Sequence, residues 1–449
     1  MKKTILVVNP WIYDFAAYDF WIKPLGLLYL AAYLRQNGYA VRLVDCLDPY
    51  HPEMASEPFV TQPKRKPWGQ GKYSKEKISK PVTLQHVPRS YYRYGITPRL
   101  FAEELRRGDR PDIVLVTSMM TYWYPGVFEA IRIISDLLPG TPVVLGGNYA
   151  TLCRDHAVQN SGADVVLPGE GERILPALFK TMFDEELECV SDHENLDSYP
   201  YPAFDLVRRL DQVPILTSRG CPFRCTYCAS GLLNDGFRRR DPLKVADEIT
   251  FWNQSRGVRD FSLYDDAFLV KPQDMAIPLL EEIIKRDLTC RFHCPNGLHL
   301  REVNDATARL LFKAGFVTLR FGFESANSDS QMETGGKVSN RELLDAVRSL
   351  KKAGYSSHDI GIYLLCGLPG QKAREIRESI RFVQVCGARP ILAEFSPIPG
   401  TALWESSLHN CIYPIGDDPL FHNNSLLPCR SDDLTHEDYK ALKRLARER

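Results

Sequence analysis

The alternation of short apolar runs with helical patterns is the feature that most restricts the fold of this chain. Near the start, "TILVVN" leads into the helix-like "PLGLLYLAAYLRQNG" and then into "AVRLVD". Further along, "DIVLVTS", "TPVVLGG" and "ADVVLPGEGE" are separated from one another by helical patterns. Five strands with helices between them predict a parallel, doubly wound sheet, whose ligands bind outside the carboxyl ends of the strands.

A second alternation starts at about Val213. Strands are predicted at about 213–218, 260–265, 289–294, 317–323, 359–365 and 391–395. Start signals for the intervening helices stand at Asp241, Asn304 and Ser339. Six successive strand–helix units predict a partial (β/α)6 barrel of the TIM type, with its functional groups at the carboxyl ends of the strands.

The two alternations and the stretches around them predict four segments. These are a Rossmann-like domain at 1–185 with an irregular insertion at about 48–97, a proline-containing linker at 186–212, the partial barrel at 213–405 and a C-terminal extension at 406–449. The insertion contains "PKRKPWGQGKYSKEKISKP", which has no periodicity. A solvated surface excursion is favoured for it over a polyanion-binding arm.

Charge and composition exclude several classes of protein. Acidic and basic residues balance at 56 each, so no overall field indicates a nucleic-acid or membrane partner. The start "MKKTILVVNPWIYDF" becomes polar and aromatic too early for a signal peptide, and no stretch reaches about 18 apolar residues. Twelve cysteines are too dilute for a secreted disulfide scaffold. A cytoplasmic location is therefore expected.

Three of the cysteines are concentrated in one loop. "SRGCPFRCTYCAS" places Cys221, Cys225 and Cys228 at the spacing C-x-x-x-C-x-x-C, directly after the first barrel strand. A structural zinc site needs four protein ligands. Three thiolates can hold three irons of a 4Fe-4S cluster and leave the fourth iron open to an exogenous ligand. The pattern favours such a cluster over structural zinc or a chance spacing. Two other cysteines, Cys290 and Cys294 of "CRFHC", are predicted to pack in the core.

The cysteine loop, with aromatic Tyr227 before its last cysteine, resembles the cluster motif of radical S-adenosylmethionine (SAM) enzymes. The resemblance spans about Val213 to Glu405, and the six strand–helix units match that family's partial barrel. It implies that SAM chelates the open iron and is cleaved reductively to methionine and a 5'-deoxyadenosyl radical. A reductase, or a flavodoxin or ferredoxin, would then supply the electron.

The same resemblance implies contacts to SAM at other strand ends. "YDDAF" follows the second strand, where the family has polar contacts to the methionine part of SAM; a helix-capping acid is the alternative. "RFGFES" ends the fourth strand on an acid similar to the one that hydrogen-bonds the ribose, and "LLCGLPGQ" resembles the glycine-rich adenine-side segment, although Gln371 stands where members often carry Glu. The expected SAM-binding residues are Tyr227, Asp265, Asp266, Glu324, Gly367 and Leu368.

The first domain resembles the cobalamin-binding domain that precedes the barrel in a large radical SAM subclass. "KPLGLLYLAAYLR", "VVLGGNYAT" and "VVLPGEGE" carry the likeness. The signature D-x-H-x-x-G, whose His ligates cobalt, is absent, and His51 and His156 are the nearest histidines. Cobalamin bound without a protein histidine is favoured over a domain kept without cobalamin. The expected cobalamin contacts are Gly26, Ser118, Gly146, Gly147, Gly169 and Glu170.

The expected activity is cobalamin-dependent C-methylation of an unactivated carbon in a small-molecule or lipid-like substrate. Radical rearrangement, cyclisation or carbon–carbon coupling without methyl transfer is the alternative among enzymes. An iron–sulfur electron carrier or sensor that needs no SAM is the alternative from another class. A transfer RNA methylthiotransferase is disfavoured because the chain lacks a second cysteine trio in the first domain and a basic tail.

Overall fold

The protein forms two compact units in a computed structural model that describes residues 3–187 and 192–448. The first unit, the sheet unit, runs to Glu194 and includes Ser198–Asp211. The second, the barrel unit, comprises Asn195–Asp197 and the chain from Gln212 onward. Residues 188–191 of the predicted linker lie outside the described residues.

A five-stranded parallel sheet forms the centre of the sheet unit. Its strands are Thr4–Asn9, Ala40–Asp45, Ile113–Val116, Val143–Leu145 and Val165–Val166, in the spatial order 2-1-3-4-5. The helices around them are Leu25–Gln36, Pro98–Arg106, Tyr124–Leu137, Asn148–Leu152, Arg154–Asn160 and Gly171–Phe183. Alternate residues of the first strand serve two separate cores, since Ile5 and Val7 pack in one and Leu6 and Val8 in the other. The predicted doubly wound sheet is confirmed.

The insertion after the second strand is more regular than its sequence indicates. Lys75–Ile78 and Tyr91–Tyr94 pair with each other, and Tyr91–Tyr94 also pairs with Ile12–Asp14, in an antiparallel three-stranded sheet. Two short 3-10 helices, Pro52–Ser56 and Val82–Leu84, accompany it. Strands this short have too few residues for a visible alternation, and one partner lies far earlier in the chain, so local periodicity does not reveal them.

An open parallel barrel forms the second unit. Its strands, paired in chain order, are Val213–Ile215, Asp260–Leu263, Arg291–His293, Phe316–Glu324, Ile360–Cys366 and Arg389–Glu394, and Leu298–His299 adds a short pairing to the fourth. The main helices are Pro242–Arg256, Ala276–Lys285, Asp305–Lys313, Ser328–Glu333, Asn340–Ala353 and Ala373–Cys386. In the described chain the first and last strands each pair on one side only, which leaves the barrel unclosed. The predicted partial barrel is confirmed.

Helix capping explains where three of the barrel helices begin. Asp241 accepts hydrogen bonds from the backbone N–H groups of Leu243 and Lys244. Asn304 and Ser339 each form a reciprocal capping box with the third residue of the helix that follows. The predicted start signals at these three positions are confirmed.

The C-terminal extension packs on the last two strand–helix units. It contains helices Trp404–Asn410 and His436–Leu445 and two 3-10 turns, Pro419–His422 and Asn424–Leu426. Asp433 accepts a hydrogen bond from the N–H of Ala373, which anchors the extension to the start of a barrel helix. Cys411 and Cys429 form a disulfide, a pairing that their positions in the sequence do not predict. None of the helices in residues 3–187 and 192–448 is both long and apolar enough to span a bilayer.

Candidate functional site

A short hairpin that follows the first barrel strand encloses the cysteine loop. Ser218–Arg219 pairs antiparallel with Arg238–Arg239, and the three cysteines lie in the chain between these two short strands. Gly220 has a φ of +77°, and a Cβ there would lie 2.1 Å from the carbonyl oxygen of Gly236. Only glycine therefore allows the hairpin to close at this point.

The three thiols of the loop match the number of protein ligands that a four-iron cluster with one open iron takes. Cys221, Cys225 and Cys228 are all free thiols. In the described chain, no three His, Cys, Asp or Glu side chains are arranged around one point as a single metal ion requires. In a four-iron cluster each thiolate binds a different iron, so the sulfurs need not converge. Burial raises the pKa of Cys221 to about 11, so cluster binding must displace its proton.

Distant segments of the barrel unit fix the position of the loop. The Thr226 hydroxyl donates to the carbonyl of Glu333 at 2.9 Å, and the Thr226 carbonyl accepts from the N–H of Leu403 at 3.0 Å. A Cβ at Gly335 would lie 3.2 Å from the Cα of Cys225, so the glycine turn after the fourth strand packs directly on the loop. These contacts join residues far apart in the chain, so the sequence does not predict them.

Tyr227 brings the loop into contact with the end of the fourth strand. Its hydroxyl donates to Oε1 of Glu324 at 2.8 Å, and the ammonium group of Lys337 lies 2.8 Å from the same oxygen. Burial is the largest single influence and lowers the pKa of Lys337, but the carboxylate of Glu324 and the thiols of Cys225 and Cys221 together outweigh it, so the pKa is raised. Lys337 is therefore charged and holds Glu324 in place. Oε2 of Glu324 forms no hydrogen bond with the described protein.

Lys337 is a site residue that the sequence analysis missed. Its only signal is the adjacent pair of glycines in "TGGK", which marks a tight turn but does not reveal what the turn contacts. Glu324 itself has a φ of +70°, an unusual value for a residue with a side chain. The strained backbone directs the carboxylate toward Tyr227 and Lys337, which is typical of functional positions.

Asp265 and Asp266 bond to the loop after the first strand and do not cap a helix. Oδ1 of Asp265 accepts from the N–H and hydroxyl of Thr217 at 2.8 and 2.7 Å and from the Ser218 hydroxyl at 2.8 Å. Oδ2 of Asp265 is buried without a hydrogen-bond partner, and burial raises the pKa of this carboxyl to about 6. Asp266 accepts from the Ser230 hydroxyl at 2.5 Å. The helix-cap alternative does not hold, because the next helical turns begin at Pro272 and Ala276.

Gln371 organises the glycine-rich turn after the fifth strand. Its amide oxygen accepts from the N–H groups of Gly367 and Leu368 at 2.8 and 3.2 Å, and its amide nitrogen donates to the carbonyl of Leu365 at 3.0 Å. These N–H groups are thereby occupied by the protein. The side chain of Leu368 packs beside Leu365 and Tyr227, so this turn presents an apolar surface next to the cysteine loop.

In the sheet unit, four of the expected cobalamin contacts lie where the third, fourth and fifth strands end. The Ser118 hydroxyl donates to the carbonyl of Gly146 at 2.7 Å, and the N–H of Gly169 donates to the Thr151 hydroxyl at 2.9 Å. Gly147 has a φ of +92°, and a Cβ there would lie 2.3 Å from the carbonyl oxygen of Ser118. The close approach of Ser118 explains this glycine without any ligand.

The other two expected contacts differ in their surroundings. Gly26 lies in the first turn of helix Leu25–Gln36, and a Cβ there would meet nothing within 4 Å. Packing therefore does not require this glycine. Glu170 precedes helix Gly171–Phe183, and its carboxylate lies 3.5 Å from Arg173 one turn along.

Both histidines named as possible cobalt ligands take part in the packing of the sheet unit. Nε2 of His51 lies 3.1 Å from Oε1 of Glu104, and its Nδ1 accepts from the N–H of Glu53 at 3.3 Å. Nδ1 of His156 lies 2.6 Å from the Tyr149 hydroxyl, and its ring stacks on Phe128.

Comparison with known proteins identifies both units. Residues 215–383 match the radical SAM superfamily, and residues 90–179 match the B12 binding domain. The chain is thus a radical SAM enzyme that carries a B12-binding domain. The cofactors of such an enzyme are a 4Fe-4S cluster, SAM and cobalamin.

Individual relatives and a solved structure agree with this assignment. An uncharacterized methyltransferase of Pyrococcus horikoshii is 26% identical over 67% of this chain and 70% of its own length. An anaerobic magnesium-protoporphyrin IX monomethyl ester cyclase of Cereibacter sphaeroides is 26% identical over 68% of this chain and 54% of its own length. The radical SAM methyltransferase TsrM from Kitasatospora setae, solved with cobalamin and a [4Fe-4S] cluster, has the same fold. Its TM-score is 0.67 at 17% identity, over 99% of this chain and 91% of that one.

Proposed function

We propose that this enzyme transfers a methyl group to an unactivated carbon of a small-molecule or lipid-like substrate. One observation carries the proposal: a single chain combines the cysteine loop, at the strand ends of an open barrel, with a match to the B12 binding domain. When bound, the reduced cluster supplies the electron that cleaves SAM, and cobalamin supplies the methyl group. The electron donor would be a reductase, a flavodoxin or a ferredoxin.

Cys221, Cys225 and Cys228 are the residues proposed to hold the cluster. Their free thiols and the hairpin around them support this role. Thr226 and Gly335 would keep the loop in position when iron binds, because Thr226 bonds to Glu333 outside the loop and the turn at Gly335 packs against Cys225. Tyr227 would connect the cluster loop to Glu324 through its hydroxyl.

The residues proposed to bind SAM offer unused acceptors at the ends of the second and fourth strands. The buried Oδ2 of Asp265 has no partner and suits the ammonium group of the methionine part, with Asp266 beside it. The free Oε2 of Glu324 suits the ribose hydroxyls, because Tyr227 and Lys337 occupy the other oxygen. Gly367 and Leu368 would contribute apolar contact to the adenine, since Gln371 already satisfies their N–H groups.

The residues proposed to contact cobalamin are Gly26, Ser118, Gly146, Gly147, Gly169 and Glu170. In a sheet of order 2-1-3-4-5, ligands bind outside the carboxyl ends of the strands, where most of these residues lie. Cobalamin would bind with no histidine on cobalt, because the signature D-x-H-x-x-G is absent and both ring nitrogens of His51 are engaged by the protein.

Radical cyclisation without methyl transfer is the second candidate. The likeness to the magnesium-protoporphyrin IX monomethyl ester cyclase supports it. A non-catalytic iron–sulfur carrier is the third candidate, and the test below distinguishes it from the two enzymes.

Products formed from SAM distinguish these candidates without knowledge of the substrate. Anaerobically reconstituted protein with cobalamin, SAM and a chemical reductant is analysed for S-adenosylhomocysteine and 5'-deoxyadenosine. A cobalamin-dependent methyltransferase forms both, and S-adenosylhomocysteine disappears when cobalamin is omitted. Formation of 5'-deoxyadenosine alone would favour cyclisation or rearrangement, and formation of neither would favour a carrier. The triple variant Cys221→Ala, Cys225→Ala, Cys228→Ala should lose the iron and 5'-deoxyadenosine, whereas Cys290→Ala with Cys294→Ala should keep its iron.

A further inference from the structure

The inner face of the barrel carries polar side chains toward the amino-terminal ends of its strands, where Asp260, Arg291 and Arg389 are each the first residue of a strand. Phe323 stacks on Phe382 of helix Ala373–Cys386, with ring centroids 6.1 Å apart, which identifies the face that the helices cover. On the opposite face, Thr318 and Asp260 hydrogen-bond to the two ring nitrogens of His293 at 2.9 and 3.0 Å. The interior of this barrel is therefore lined by hydrogen-bonded polar side chains at this level, whereas the interior of other such barrels is filled by apolar side chains.

Most charges on this inner face are compensated. The guanidinium of Arg291 donates twice to the carboxylate of Asp260, at 2.8 and 2.6 Å. His293 shares that carboxylate. Asp260 on the second strand thus pairs with two side chains of the third strand.

Arg320 and Arg389 are the exception. They lie on the fourth and sixth strands at the same level, because Gly361 of the strand between them is in register with both. A Cβ at Gly361 would lie 2.7 Å from Cδ and 2.8 Å from Nη1 of Arg320, so the arginine side chain extends across the glycine, toward the sixth strand. Glycine at 361 leaves the space that this crossing needs.

Neither arginine has an acidic partner in the described chain. Arg320 donates one hydrogen bond, from Nη1 to the carbonyl of Leu319 at 2.7 Å, and Nε of Arg389 is buried with no partner. The charge of Asp359 raises the pKa of both arginines. Its carboxylate, however, accepts hydrogen bonds from the N–H and hydroxyl of Ser356 and pairs with neither arginine. Each guanidinium has five N–H donors, so nearly all of these donors remain available.

Two neighbouring cations without a counter-ion cost stability. Burial and the charge of Arg389 lower the pKa of Arg320 to about 10. Such an arrangement is typical of a binding site for an anion, which supplies the missing charge and accepts the free N–H groups. Guanidinium forks match the planar oxygens of a carboxylate and the oxygens of a phosphoryl group.

We propose that Arg320 and Arg389 bind an anionic oxygen group of the substrate, a carboxylate or a phosphoryl group, inside the barrel. The proposal rests on the proposed function and adds the chemical class of the substrate. Arg320 precedes Glu324 by four residues on one strand, a distance of about 13 Å. A substrate anchored by its anionic end would extend from there toward the strand ends where the cysteine loop lies.

Thermal unfolding of the reconstituted holoenzyme in inorganic phosphate, in acetate and in chloride of equal ionic strength tests the proposal. An anion that binds the folded barrel raises the Tm, by roughly 2–4 °C at about five times its dissociation constant. Arg320→Gln and Arg389→Gln should each lose the shift. Arg341→Gln, which removes an exposed arginine paired with Asp345, is the matched control and should keep it. A larger shift with phosphate indicates a phosphoryl group, and a larger shift with acetate indicates a carboxylate.

Two further measurements separate this site from a structural role and from the SAM site. In chloride, Arg320→Gln and Arg389→Gln should be no less stable than the wild type, because each removes an uncompensated charge. The proposal is overturned if both variants unfold several degrees lower in chloride, or if they keep the full anion shift. Saturating SAM should leave the phosphate or acetate shift of the wild type in place; its loss would assign the arginines to the carboxylate of SAM. These readouts use no product of SAM, so they can fail while the proposed function holds.

Discussion

Asp265→Asn tests whether the buried carboxyl at the end of the second barrel strand opposes folding. The side chain of Asp265 has one oxygen with three donors from Thr217 and Ser218 and one buried oxygen with none. Its pKa in the folded protein is about 6, against an ordinary value of 3.8. Because the folded pKa is the higher one, the charged form disfavours folding. That penalty is small below about pH 4 and complete above about pH 7.

The size of the effect follows from the two pKa values. The full penalty is about 3 kcal/mol, and between about pH 5 and pH 7.5 it grows by about 1.5 kcal/mol. Asparagine keeps an oxygen that can accept from Thr217 and Ser218 and does not ionise. The wild type should therefore lose about 1.5 kcal/mol of unfolding free energy relative to Asp265→Asn over this pH range.

Urea unfolding of the cofactor-free protein, followed by tryptophan fluorescence at both pH values, measures this difference. Trp252 is 4% exposed in the barrel unit and reports on its unfolding. Asp329→Asn changes an exposed carboxylate and is the control, for which no such pH dependence is expected. A stability difference between wild type and Asp265→Asn that is the same at both pH values would refute the reasoning.

Three further predictions concern the other site residues. Glu324→Ala and Lys337→Met should keep the cluster but weaken SAM binding by about 1 to 3 kcal/mol, roughly 5- to 150-fold, in an equilibrium binding assay. Lys440→Met, which changes an exposed lysine of the last helix, should bind SAM as the wild type does. Gly147→Ala should lower the Tm of cobalamin-free protein more than Gly140→Ala, because both glycines have positive φ but only at Gly147 would a Cβ collide with Ser118; equal losses would contradict the steric argument. Protein produced with cobalamin should retain about one equivalent in His51→Ala and in His156→Ala, and the cobalt resonance spectrum should show no nitrogen coupling from protein, whereas coupling that vanishes in either variant would identify a histidine ligand.

The sequence by itself determined the two parallel folds and the position of the cysteine loop. Strands and helices of adequate length show a periodic pattern of apolar residues in the sequence. Capping residues such as Asp241 and Ser339 bond to the first turn of the helix that follows them, so they too are local signals. The spacing of Cys221, Cys225 and Cys228 is local too, because all three thiols come from one short loop. Asp265 and Glu324 could be predicted from the sequence because each stands at the end of an apolar strand.

Only the tertiary structure decided which groups meet across strands. Lys337 reaches Glu324 from the turn after helix Ser328–Glu333, and Arg320 lies level with Arg389 through the registers of strands that are far apart in the chain. The steric reason for glycine at 147 is likewise a contact with Ser118, which follows another strand. A sequence shows which residues follow one another, but such contacts depend on register and packing, and these are settled only when the whole sheet forms.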